Sequence, residues 1–194
     1  MKVTQQVGFS LLELLVTLFV VVIITSLVTL SVNSGGEDIE LDATVKSLAD
    51  VSSYAIDEAQ MRGVDMGLLL ERVDKSGERI FRYRFMEKTP QGWRDPEVEA
   101  DIFSPRAFPS TVEVSLEVEN TLVDLTGASR LARSAASEGN IAQPEPQVIF
   151  YSSGEATVGI ISLRLAQTGE LLWTIEWDLV GRFTLLRRGE PNES

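Results

Sequence analysis

From Phe9 to Val32 the chain runs twenty-four residues with a single charge, Glu13. Leucine, valine, isoleucine and phenylalanine fill the run without alternation, which predicts a helix that is apolar all round. At 1.5 Å per residue it would be about 36 Å long, enough for a hydrocarbon core of about 30 Å. Ser10, Thr17, Thr25, Ser26, Thr29 and Ser31 can bond back to the helix's own carbonyls. "NSGGEDIELD" follows, and Gly35-Gly36 predicts a hinge or helix interruption. Leu41, Val45, Leu48, Ser52, Ala55 and Ala59 then recur at helical spacing, so residues 38–62 read as an amphipathic helix with Gly63 as its stop.

From residue 65 the period changes to two. Phe81, Tyr83 and Phe85 alternate with Arg82 and Arg84. Val112, Val114, Leu116 and Val118 alternate with Glu113, Ser115, Glu117 and Glu119. Leu171, Trp173, Ile175, Trp177 and Leu179 alternate with Thr174, Glu176 and Asp178. These are antiparallel strands with one wet face. "DKSG" at 74–77 and "TGE" at 168–170 supply hairpin turns, and 127–146, rich in Ala, Ser, Gly and Pro, reads as a long mobile loop. The fold class is α+β: a long N-terminal helix, transmembrane in its first half and amphipathic in its second, packed on an antiparallel β domain.

Composition narrows the function. Seventeen basic against twenty-nine acidic residues give a net charge of −12, so no nucleic-acid partner is expected. The absence of histidine excludes a Ser-His-Asp triad and an HExxH zinc site, and the absence of cysteine excludes thiolate zinc sites and disulfides. No catalytic residue, metal ligand or cofactor site is expected. A carboxylate in hydrocarbon costs about 2.5–3.5 kcal/mol on insertion scales, so Glu13 calls for a function. A cleaved secretory signal would have a shorter apolar core, a small-residue cleavage site behind it and no acid. A plain signal anchor leaves Glu13 unexplained. Lys2 before the run and Glu37, Asp38, Glu40 and Asp42 after it place the N-terminus in the cytoplasm.

"VGFSLLELLV" resembles the type IV prepilin signal, in which a short basic leader ends in glycine, phenylalanine begins the mature chain and glutamate stands fifth in it. Gly8, Phe9 and Glu13 fill those places. The resemblance implies that a prepilin peptidase cuts between Gly8 and Phe9, that Phe9 is N-methylated, and that Glu13 pairs with an N-terminal amine during assembly. Residues 1–8 are then a leader, 9–32 the membrane helix, 33–63 the hinge and amphipathic helix, and 64–194 a periplasmic β domain. The C-terminal third resembles the H-type minor pseudopilins of type II secretion in Phe150, the Gly154–Thr157 turn, Leu163, Leu165, Gly169, Trp173, Ile175 and Gly181. The implied fold is pilin-like. The implied partners are other pseudopilins of one filament, the prepilin peptidase, the inner-membrane assembly platform and the membrane, crossed once. The implied role is that of a structural subunit in protein secretion, not an enzyme. The alternative is a minor type IV pilin serving pilus priming, adhesion or DNA uptake.

Three other features have plainer readings. "DKSGE" (Asp74, Ser76, Glu78) has the look of part of a calcium loop but lacks the spacing and the final glutamate, so a hairpin turn is the better reading. Arg182, Arg187 and Arg188 form a small basic patch, read as a solvated strand end. Trp173 and Trp177 share one strand face and read as core.

Overall fold

The structure, a computed structural model, describes residues 11–75, 77–126 and 144–188; within these, the side chains of 27–37, Lys75 and Glu78 lie outside the description. One helix, α1, covers Leu11–Arg62. Among the described residues ten strands follow: β1 (Met66–Lys75), β2 (Glu78–Thr89), β3 (Gly92–Arg94), β4 (Arg106–Ala107), β5 (Val112–Val118), β6 (Thr121–Leu122), β7 (Val148–Phe150), β8 (Gly159–Leu165), β9 (Leu171–Trp177) and β10 (Phe183–Arg187). The chain divides into two compact units, the first ending at Glu40 and the second running from Leu41.

The first unit is the apolar part of α1. From Leu11 to Ile24 its large side chains are open, with Leu11 at 83% and Phe19 at 63% exposure. Thr17, Thr25 and Ser26 donate to the carbonyls of Leu14, Val21 and Val22 at 2.9, 2.7 and 2.8 Å, so the helix itself satisfies its hydroxyls. Helix also continues through Gly35 and Gly36, where composition predicts an interruption. A glycine costs a helix only about 1 kcal/mol relative to alanine, less than the cooperative gain from helix on both sides.

In the second unit, the helical stripe is the core face. Leu41, Val45, Leu48, Ser52, Ala55 and Ala59 are all buried. Gly63, at φ 65°, ends the helix, and the N–H of Val64 donates to the carbonyl of Ala59 at 3.1 Å. That six-to-one bond with a left-handed glycine is a Schellman stop. The helix packs on two antiparallel sheets, ordered β3-β2-β1-β7, with β4 also on β2, and β10-β9-β8-β5-β6. A single apolar cluster joins Leu48 and Ala55 of the helix to Phe85 and Phe150 of the first sheet and Leu116 and Ile175 of the second.

The period-two strands bury most of the expected residues. Phe81, Tyr83, Phe85, Val112, Val114, Leu116, Trp173, Ile175 and Trp177 are all buried, whereas Val118 is half-buried and Leu171, the first residue of β9, is 37% exposed. Two further expectations change. Leu179 is 54% exposed, because β9 ends at Trp177 and the chain turns at Gly181, φ 72°. Asp178 holds this turn, accepting from the N–H groups of Val180 and Arg182 at 3.1 and 3.0 Å. The Arg182 N–H, followed by its guanidinium, draws the Asp178 carboxyl below the usual carboxylate range. Of the expected loop, residues 127–143 lie outside the described residues, whereas Pro144 and Pro146 are buried on either side of an exposed Glu145.

Candidate functional site

Gly8 and Phe9 lie outside the described residues. Glu13 falls in the first turn of α1, exposed, beside Leu12, Leu14 and Leu15. Among the described residues Glu13 makes no ion pair, and it is the only charge from Leu11 to Ser26. From Leu11 to Ser26 this is an exposed aliphatic stretch with one acid, and among the described residues of its unit nothing packs against it. What it can do chemically is enter an apolar phase or bundle and offer one carboxylate to a cation there. Among the described residues no helix is long and apolar enough to cross a membrane; the expected span 9–32 begins and ends outside the described side chains.

The remaining candidates resolve into structure. β1 and β2 pair Lys75 with Glu78, making "DKSG" a two-residue hairpin with Gly77 at φ 86°. The C-terminal arginines are engaged: Arg182 with Asp178 at 2.7 Å, Arg188 with Glu170 at 2.6 Å, and Arg187 over the ring of Trp173 at 5.7 Å.

Sequence reasoning missed three buried acids. Glu71, 4% exposed, receives Arg82 at 2.6 Å, with Arg84 at 3.9 Å. Glu87, 1% exposed, lies between Arg62 of the helix end at 2.9 Å and Arg94 of β3 at 2.6 Å. Glu58 lies 3.6 Å from Arg62. A signal for two of these was present. A two-residue turn at Ser76-Gly77 sets Glu71 opposite Arg82, and one at Pro90-Gln91 sets Glu87 opposite Arg94. Arg82 and Arg84 therefore face buried carboxylate as well as water. The helix also reaches loop 95–108, where the Tyr54 hydroxyl donates to Glu99 and Arg106 bonds Ser47. The Glu99 hydrogen bond, followed by burial, pushes the Tyr54 phenol up to about 12, and burial pushes the Tyr83 phenol up as well.

An apolar helix running into a second helical half on two antiparallel sheets, with one acid near its start, is the arrangement to compare with known proteins. No family model matches the chain. Type II secretion system protein H of Pseudomonas aeruginosa is 26% identical over 162 residues, 84% of both chains. Type II secretion system protein H of Aeromonas hydrophila is 24% identical across the full length of both. The chain is similar to type II secretion system protein H along its length. In fold, a crystal structure of the minor pseudopilin EpsH from the type II secretion system of Vibrio cholerae matches at a TM-score of 0.59 and 19% identity, covering 80% of this chain and 99% of that one. A second EpsH structure matches at 0.55. The H-type likeness read from Phe150, Trp173, Ile175 and Gly181 thus has full-length relatives behind it. Phe150 and Ile175 are core, and Gly181 allows the turn after β9 to approach Ile56 of the helix.

Proposed function

We propose that the chain is a minor pseudopilin, a structural subunit of the inner-membrane pseudopilus that drives type II secretion of folded proteins. The observation that carries this is the match to protein H along the whole chain, from the apolar helix to the last strand. The peptidase cuts between Gly8 and Phe9, Phe9 is N-methylated, and residues 9–32 cross the inner membrane once with the β domain in the periplasm. The subunit does no chemistry of its own. Its partners are the other pseudopilins, the peptidase and the assembly platform.

The physical account of Glu13 follows. Cleavage leaves a cationic amine on Phe9, one helical turn before Glu13. In a bundle, the amine of a neighbouring subunit offers the same partner. A carboxylate unpaired in lipid is costly, so assembly relieves it and sets the axial register. The relatives' names and the exposed, single-acid helix support this reading. The test is the intact mass of membrane-extracted protein, expected to correspond to a chain starting at Phe9 with one added methyl group. A chain still starting at Met1 in cells with active peptidase contradicts it. A Gly8 substitution by a bulky residue should leave the precursor uncut.

A further inference from the structure

β10 ends the second sheet and has a strand on one side only among the described residues. The N–H of Arg188 donates to the carbonyl of Leu172 at 3.1 Å, and that of Asp178 to the carbonyl of Arg182 at 3.4 Å. In an antiparallel ladder every second residue makes the bonds. With Phe183 opposite Trp177 and Arg187 opposite Trp173, the residues of β10 that bond β9 are therefore Thr184 and Leu186. Phe183, Leu185 and Arg187 turn their N–H and C=O groups outward. Among the described residues nothing bonds those of Phe183 and Leu185.

Folded chains blunt such an edge with proline, lysine, a bulge or a very short strand. The other margins of the two sheets, β3, β4, β6 and β7, are two or three residues long. β10 has five residues and neither proline nor lysine among them. Phe183 and Leu185 pack against the core but are only partly buried, so the core is open along this edge.

The order of its side chains makes β10 complementary to itself. Two copies set antiparallel and centred on Leu185 bring all three outward residues into bonded pairs: Leu185 with Leu185, and each Phe183 with the other copy's Arg187. Arg187 lies over the ring of Trp173 at 5.7 Å, so it would then stand between two aromatic rings. On the opposite face Arg182 would meet Arg188, and each brings its own acid, Asp178 at 2.7 Å and Glu170 at 2.6 Å. Every other register in which outward residues meet pairs fewer of them, and the one centred on Arg187 sets two arginines face to face.

We propose that β10 is a self-complementary edge to which a second copy of this chain adds its own β10, antiparallel about Leu185. One short strand a side is less than a stable interface needs, so the contact belongs to chains held close together. The chain has no cysteine, so introduced cysteines report the register. The test oxidises the full chain in mild detergent. Leu185→Cys should give a disulfide-linked dimer, because bonded partners lie about 5.5 Å apart, within the span a disulfide bridges. Thr184→Cys and Leu186→Cys face each other in this register, so each alone should give several-fold less dimer and the two mixed should link. Should Leu185→Cys fail to fold, the mixture carries the test. Exchange of the Leu185 amide in the wild-type chain should slow as protein concentration rises. Equal linkage by all three cysteines, or no linkage in the mixture, overturns the proposal. So does a Leu185 amide equally protected at every concentration, which means that the edge is covered within one chain.

Discussion

Glu13 and Tyr54 show how differently single residues can be read. Glu13 is conspicuous in sequence because it is the one charge in an apolar run, and its chemistry depends on what surrounds it in an assembly. Glu13→Val removes a charge from lipid and should enter the membrane at least as well as wild type. It should co-purify poorly with other pseudopilins, because the neighbouring amine loses its partner; co-purification at wild-type levels would end the pairing account. Tyr54 is silent in sequence, since its partner Glu99 lies forty-five residues away. Its phenol is raised to about 12 from 10.0. Between those values the unfolded chain has lost the proton and the folded one keeps it, so stability should fall as pH rises from 10 towards 12. Titration at the tyrosinate absorbance band should show the phenol moving back towards its ordinary value in Glu99→Gln.

Elements were legible wherever a period governed burial. The stripe from Leu41 to Ala59 and the alternation in β2, β5 and β9 each predicted the buried face, because the hydrophobic effect acts on whole faces. Leu48→Ala should therefore cost about 2–5 kcal/mol in a denaturation midpoint series. Less legible were contacts set by register or by a chain turning back. The buried acids needed two hairpin registers, and the link from Glu87 to Arg62 needed the helix end brought to β2. Breaking that network by Arg62→Ala removes a partner of Glu58 and of Glu87 together, and should cost about 3 kcal/mol or more, against little for a fully exposed pair. The stop of β9 was hidden because Leu179 continues the alternation while Gly181 turns the chain. Gly181→Ala should cost about 1–2 kcal/mol for its left-handed backbone alone. Ile56→Val should recover only the part due to crowding, since Ile56 lies where the new methyl would go.

At the scale of the molecule, an apolar helical unit and a compact acidic unit share one chain. The first offers lipid or a helix bundle a matching surface, while the second buries its own strand faces. Composition excluded histidine and thiol chemistry, and the leader-like stretch around Gly8, Phe9 and Glu13 indicated processing and assembly. The net charge of −12 and the paired C-terminal arginines leave little basic surface for a polyanion. The secretion reading is therefore favoured over DNA uptake, and the most direct test is what a cell loses without the gene. Culture supernatant and periplasm of a deletion strain should be assayed for the enzymes it normally exports, with surface pili and twitching scored in parallel. The account predicts folded, active enzymes held in the periplasm, pili intact, and rescue only by a chain that carries the apolar helix. Normal secretion with loss of pili or transformability would contradict it.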